Sequence, residues 1–566
     1  MTDSRRQQYL RRWGALKNER ADWYDHWKEI SEYMLPRSGR FFTTDRNKGD
    51  KRYNDIIDST GTRALRVLAA GMMAGMTSPA RPWFRLATPD PDLMEYAPVK
   101  LWLERVTELM RHAFAKSNTY RALHSVYEEL GAFGTAADII QKNYDNILHH
   151  MPLTVGEYAI STNNLGDVHT LAREFDMTVG QMVEEFGRDK LSNAVKNMYD
   201  RGAVDDWVPV IHLIQPRTAR DYSRRDPLNM PYASCYLEAG GDGDDLLRES
   251  GFNRFPALCP RWHASGGDIY GNSPGMEALG DVKQLQHQQM RKGQAIDYMV
   301  KPPLQIPAAL KEQQLSTLPG GTAFVDMVGP QNKIQSMFDV RLELQPLLLD
   351  IQDVRERIQK TFYADLFMMI ANDQRSNITA REIAERHEEK LLMLGPVLER
   401  LHNELLKPKI DVTFDFILEA GLLRGELAPP QELQGQDLNV EFVSMLAQAQ
   451  RAVGTQAVDR LVGTIGSLAM LQANSGQPVT AMDKLDVDQA IDKYADMLGI
   501  DPDLIVADDE VAIVRDNRAK MAAMQAQAQA AQQMAETAKT ASEVDQESPV
   551  AQALGQFSGY SVPGTL

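Results

Sequence analysis

The chain is poor in cysteine. Cys235 and Cys259 are the only two in 566 residues, and neither sits in a metal-ligand spacing. That excludes a disulfide scaffold and fits a reducing compartment. Long apolar runs are missing as well. The best, Val67 to Met76, has about half the roughly 18 residues of a membrane span and holds two glycines, so a buried helix is expected there and no membrane partner. The Arg-rich start has no apolar stretch behind it, and no secretory leader is expected. Positive charge is in deficit: 61 Lys and Arg stand against 78 Asp and Glu, a net charge of −17. A protein that grips duplex DNA non-specifically holds phosphates with clustered cations and releases counterions. This chain would tolerate a duplex rather than hold it.

The motifs of common chemistry are absent too. There is no glycine-rich phosphate cradle ending in Lys-Ser or Lys-Thr. His387-Glu388-Glu389-Lys390 lacks the second histidine of a zinc-protease helix, and reads as a solvated charged face. In Trp262 to Gly267, His263 stands where a hydrolase elbow needs glycine two residues before Ser265. Asp508-Asp509-Glu510 suits the positive end of a helix dipole better than a metal. His149-His150 reads as loop surface. No catalytic residue, cofactor or metal is expected, and the chain does not read as an enzyme.

What is present is globular: 43% hydrophobic and 25% charged residues, with length for three or four domains of ordinary size. The chain is organised around Pro346 to Leu405. Leu347, Ile351, Val354, Ile358, Phe362 and Leu366 form one helical stripe, with Asp350, Asp353, Arg355, Glu356, Arg357 and Lys360 opposite. A single helix over 346–370 would span about 37 Å. A polar run, Ala371 to Asn377, follows. The capping box Thr379 to Glu382 then restarts a helix carrying Ile383, Leu391, Leu394, Leu398 and Leu405. Such a hairpin must lean on something else, either the chain's own core or an identical neighbour.

Elsewhere, helices are expected over 4–35, 59–76, 97–117 and 119–133. An α+β region, read as one sheet with packed helices, covers about 139–263, with a turn at Asn163 to Gly166 and a short helix from Thr178 to Phe186. A Gln-rich helix runs from about 276 to 299. A Pro- and Gly-punctuated insert with strand candidates at 322–325 and 334–337 leads to the hairpin. A separate helix over 412–423, a strand over 438–443 and helices at 445–473, 486–498 and 508–541 complete the chain. The last residues, 542–566, read as disordered. The fold class is mainly α with an α+β region.

Five stretches in order, Ala64 to Leu86, Gly156 to Gly166, Arg173 to Thr178, Ile269 to Met276 and Asn377 to Ile383, make the chain resemble the head-to-tail connector, or portal, proteins of short-tailed bacteriophages. The likeness covers roughly 5–540. It implies a ring of twelve copies at one capsid vertex, built in the host cytoplasm, through which double-stranded DNA is packaged and ejected. It also implies a division of the chain: wing 1–276, stem helices 277–299 and 338–370, clip 300–337, tunnel loop 371–378, a helix returning to the wing over 379–445, and a helical crown over 446–541. The implied partners are the terminase large subunit, a tail adaptor, and the major capsid and scaffolding proteins. Asn372, Asp373, Gln374, Arg375, Ser376 and Asn377 would point at DNA. Lys283, Arg291, Lys292 and Arg355 are candidates for the stem lumen; the first three suit equally well pairing with acids of a neighbouring subunit. Residues 337–370 carry four basic and six acidic side chains, so a ring of them would present a mildly repulsive wall. A virion protein that forms no pore is the alternative.

Overall fold

The computed structural model describes residues 4–41, 53–90, 96–224, 226–241, 245–300, 344–371, 394–424, 428–433, 438–442, 461–472, 485–491 and 508–542. It also describes two short strands, 304–305 and 335–336, and a few isolated positions. The chain forms two compact units, 1–450 and 451–566.

Helix α1 (Arg5–Met34) starts on Ser4, whose hydroxyl accepts the Gln7 N–H at 3.3 Å. Trp13, Leu16, Trp27, Ile30 and Met34 form its buried stripe. Arg20 lies on the same stripe, and its Nη1 donates to the carbonyls of Gly156 and Tyr158 at 3.0 and 2.5 Å, so backbone acceptors replace part of the water the guanidinium leaves. Helices α2 (Thr60–Met76), α3 (Ala97–Lys116) and α4 (Thr119–Phe133) follow. The expected buried helix is α2, with Leu65, Leu68, Ala69 and Met72 in the core. Gly134 ends α4 in the left-handed region at φ +75°. A Cβ there would lie 2.2 Å from the Gly271 carbonyl oxygen, so only glycine fits.

The α+β region contains two main sheets, not the one expected. Strands β2 (Ala137–Asn143), β3 (Ile147–Leu153) and β9 (Ala257–Leu258) make the first, in order β3-β2-β9. Strands β4 (Tyr158–Thr162), β5 (Val168–Thr178), β6 (Trp207–Pro216), β7 (Tyr232–Glu238) and β8 (Arg248–Phe252) make the second, antiparallel in chain order. The reason lies in the β3–β4 link. Gly156 turns at φ +88° against the Arg40 carbonyl, and β4 leaves without pairing to β3. Alternation of apolar residues cannot report that choice. The turn at 163–167 forms as expected: Asn163 Oδ1 accepts the N–H groups of Leu165 and Asp167, both at 2.9 Å, and Gly166 has φ +87°. Thr178 and Gln181 complete the capping box of α5 (Val179–Phe186). Helix α6 (Asn193–Asp200) lies between β5 and β6.

Helices α7 (Pro274–Val300) and α8 (Leu344–Thr361) pack as an antiparallel pair. Gln288 of α7 bonds Asp350 of α8, whereas Asp281 and Gln284 meet Arg357, one end of each helix against the other end of its partner. The expected single helix over 346–370 is broken. After α8 the chain turns at Tyr363, φ +53°, into α9 (Ala364–Ala371). The break seats Phe367 against Gly71 of α2, where a Cβ would lie 2.2 Å from the ring. The straight span is thus 18 residues, about 27 Å. The stripe of Ile351, Val354, Ile358, Phe362 and Leu366 is buried in the same core as α2 and α7. It therefore leans on its own chain, not on a neighbour.

Residues 394–401 are helical and continue through a π-helical turn, His402–Leu406, into α10 (Lys407–Arg424). The expected end near 405 and fresh start at 412 are therefore replaced by one rod. Pro408 cannot donate to the Glu404 carbonyl, and the wider turn accommodates that gap. Strand β12 (Asn439–Phe442) pairs antiparallel with β1 (Phe84–Ala87). Strands β10 (Leu304–Gln305) and β11 (Gln335–Ser336) pair with each other at the base of the insert; the 322–325 strand candidate lies outside the described residues. In the second unit, 461–472 is helical and α11 (Asp508–Ser542) is a 35-residue helix whose described side chains are almost all exposed.

Candidate channel and assembly surfaces

Three of the four stem candidates lie on α7 and one on α8. Lys283 forms an ion pair with Glu29 of α1 and sits 5.6 Å from the Tyr33 ring. Arg355 donates to Asp58 Oδ2 at 2.6 and 3.1 Å. Burial alone would raise the Asp58 carboxyl, but hydrogen bonds from Thr60 and Arg355 outweigh it and hold it below the ordinary carboxylate value. Gln286 and Gln289 explain part of the glutamine richness. Gln286 Oε1 accepts the N–H groups of Ile57 and Asp58 at 2.7 Å, its amide donates to the Asp58 carbonyl at 2.9 Å, and Gln289 donates to the Asp58 carboxylate at 3.0 Å. One turn of chain before α2 is thereby tied to both long helices.

Arg291 and Lys292 stand apart. Arg291 meets only His287 and Gln294, both at 3.4 Å, and neither cation has a carboxylate partner among the described residues. They lie beyond Gln288, where the character of the helix pair changes. Ala278, Leu279, Val282 and Leu285 of α7 are buried, but Met290, Ile296, Tyr298, Met299 and Val300 are exposed. On α8, Ile351, Val354 and Ile358 are buried, whereas Leu348 and Leu349 are exposed, Leu349 at 70%. The pair thus projects an apolar end away from the core. Arg291, Gln294 and Asp297 are exposed among these apolar side chains. Asn372, Asp373, Gln374, Arg375, Ser376 and Asn377 lie outside the described residues, as does the helix start at 379.

The expectation for His149-His150 was wrong. Both are in β3, and His150 is buried. Its Nδ1 lies 2.6 Å from Asp138 Oδ2 on β2, and Lys409 Nζ of α10 lies 3.4 Å from the same nitrogen and 3.6 Å from the same carboxylate. All three side chains are wholly buried. Burial pushes the Lys409 amine down to about 8 against the pull of Asp138. Burial would raise Asp138, but His150 and Lys409 outweigh it and keep the carboxyl low; burial, then Lys409, holds His150 below its usual value. Five residues earlier, Glu404 accepts from the Arg261 N–H at 2.9 Å, from its Nε at 3.3 Å and its Nη2 at 2.7 Å, and from Arg400 at 3.0 Å. One signal in the sequence could have found the cluster: Lys409 falls among Leu405, Leu406 and Ile410, which are all buried.

Among the described residues no helix is long and apolar enough to cross a membrane, and no group of His, Cys, Asp and Glu could hold a metal ion. His263 and Ser265 are 3.2 Å apart but exposed.

The family described as bacteriophage head to tail connecting protein matches residues 6–506. The "Probable portal protein" of Bordetella phage BPP-1 is 58% identical over 554 residues, 98% of each chain. The "Portal protein" of Salmonella phage epsilon15 is 45% identical over 552 residues, 97% of this chain and 98% of its own. A solved chain from the virion of a native gene transfer agent particle aligns with 74% of this chain and 90% of its own, at 12% identity and a TM-score of 0.31. The two full-length likenesses and the family match agree with each other, and this chain belongs to the bacteriophage head to tail connecting protein family.

Proposed function

We propose that this chain is the portal subunit of a tailed bacteriophage: copies form a ring of twelve at one capsid vertex, pass double-stranded DNA inward and outward, and join head to tail. The observation that carries the reading is identity over 97–98% of this chain to two proteins named as portals. The exposed apolar end of α7 and α8 supports the ring, because neighbours in a ring can cover what the core leaves open. The net charge of −17 supports a wall that lets a duplex slide.

In this reading α7 and α8 are the stem and 300–337 the clip, which meets the terminase large subunit and later the tail adaptor. Residues 371–378 are the tunnel loop, with Asn372 to Asn377 toward the DNA. The helices after 446 form the crown, and major capsid and scaffolding proteins surround the wing. Lys283 and Arg355 neutralise acids within the subunit, which leaves Arg291 and Lys292, of the four candidates, able to meet a neighbour's acids or the DNA. The subunit carries no chemistry of its own: incubation with duplex DNA and a divalent metal should give no cleavage, and ATP no turnover. Deleting 300–337 tests the division directly. Rings should still form on negative-stain grids but fail to bind the adaptor; loss of the ring itself would place the assembly surface in the insert and overturn this assignment.

A further inference from the structure

Helices α7 and α8 leave the core at one place. Beyond Gln289 no described side chain of α7 is buried, and before Ile351 no described side chain of α8 is. Asp58, whose side chain is 8% exposed, meets both helices within about one turn of that exit. Its two oxygens have separate duties. Oδ1 accepts the Thr60 N–H at 2.9 Å and the Thr60 hydroxyl at 2.5 Å, at the start of α2. Oδ2 accepts from Gln289 of α7 at 3.0 Å and from Arg355 of α8 at 2.6 and 3.1 Å. Gln286 of α7 closes the backbone side: its Oε1 takes the N–H groups of Ile57 and Asp58, and its amide donates to the Asp58 carbonyl. Gly61, in the first turn of α2, brings that helix close to α7, since a Cβ there would lie 3.0 Å from Val282. A further ionic tie of α7, Lys283 to Glu29, lies deeper in and is more exposed.

We propose that Asp58 is a positioning residue: it fixes the angle at which α7 and α8 leave the core, and through that angle the number of subunits that close the ring. The inference rests on the ring reading above. Residues 290–300 of α7 project about 16 Å past the anchor, so a tilt of about 10° at Asp58 moves their tip by about 3 Å. Ring closure is stricter. Each subunit turns by about 30° in a ring of twelve and by about 28° in a ring of thirteen, so a drift of a few degrees selects a different closure. Apolar packing alone lets two helices settle over a wider range of crossing angles. A carboxylate bonded at once to α2, α7 and α8 narrows that range, because its hydrogen bonds weaken steeply with direction and the two from Arg355 are charge-assisted.

Native mass spectrometry of the full-length protein, wild type beside its variants, tests this. In Asp58→Asn one oxygen stays for Thr60, and an amide N–H group faces the Gln289 and Arg355 donors. The single wild-type ring mass should then split into rings of neighbouring subunit number. Arg355→Gln leaves the Thr60 and Gln286 bonds in place; it should split the mass in the same way, and it carries the test if Asp58→Asn fails to fold. Two controls should keep the wild-type subunit number. Thr60→Val loses only the hydroxyl bond to Oδ1, and Phe362→Ala destabilises the core about two turns past Arg355. Folded Asp58→Asn or Arg355→Gln rings of the wild-type number alone would overturn the proposal, and so would the same spread of ring sizes in either control. A wild type that stays monomeric would overturn the ring reading and this inference with it; a wild-type ring with unchanged variants overturns this inference alone.

Discussion

Replacing Glu129 by glutamine should flatten the pH dependence of stability. Glu129 lies on α4, buried, where its Oε1 accepts the Thr154 hydroxyl at 2.7 Å and its Oε2 the Val155 N–H at 3.4 Å. Thr154 in turn accepts the Gly39 N–H at 2.6 Å, so one carboxyl ties α4 to the β3–β4 link and to the chain after α1. Burial raises this carboxyl from 4.5 to about 7, despite hydrogen bonds that favour the charged form. The folded protein therefore holds a proton that the unfolded chain releases. The resulting stabilisation is complete below the unfolded value and disappears as pH rises through about 7. Its full size is about 3 kcal/mol, most of it lost between pH 5 and pH 8. Urea denaturation across that range, followed by tryptophan fluorescence, measures it; Trp27 reports locally, since its indole N–H donates to the Phe133 carbonyl at the end of the same helix. Relative to Glu129→Gln, the wild type should lose about 3 kcal/mol on going from acid to alkaline pH. Parallel curves for the two proteins, or a wild type that gains on the variant as pH rises, would refute the reasoning.

Other perturbations have equally definite outcomes. Lys409→Met strands the buried Asp138 carboxylate and should cost about 3–5 kcal/mol in denaturant titration, with Asp138→Asn added to it recovering part of the loss. Gly71→Ala drives a methyl into Phe367 and should cost about 1–3 kcal/mol by the same titration, and Phe367→Leu in that background should restore some of it. Phe362→Ala opens a cavity at the α8–α9 break and should lower stability by about 3–5 kcal/mol, without altering subunit number by native mass.

Local patterns were legible wherever a single element decides its own state. The α1 stripe from Trp13 to Met34, the capping box at Thr178 and the Asn163–Gly166 turn each form as the residues dictate, because the groups they satisfy lie within a few residues. Features set by distant partners were not legible. Nothing local to His150 reveals that Asp138 and Lys409 will close over it, and nothing around Tyr363 reveals that Phe367 must reach Gly71. The separate helix expected over 412–423 is instead continuous with the one before it, since the anchors that keep the helix going, Glu404 to Arg261 and Lys409 to Asp138, are long-range. Of the candidate site, the glutamine- and charge-bearing faces of α7 and α8 were legible. Which of their cations were already spoken for was not, because Glu29 and Asp58 are about 250 and 300 residues away in sequence.

The central claim is that copies of this chain close into a ring around a DNA channel. Native mass spectrometry of the purified full-length protein, with images of the same sample, tests it most directly. The account predicts a single species of many times 63.5 kDa with an open axial hole. A stable 63.5 kDa monomer at every concentration and salt tried would contradict it.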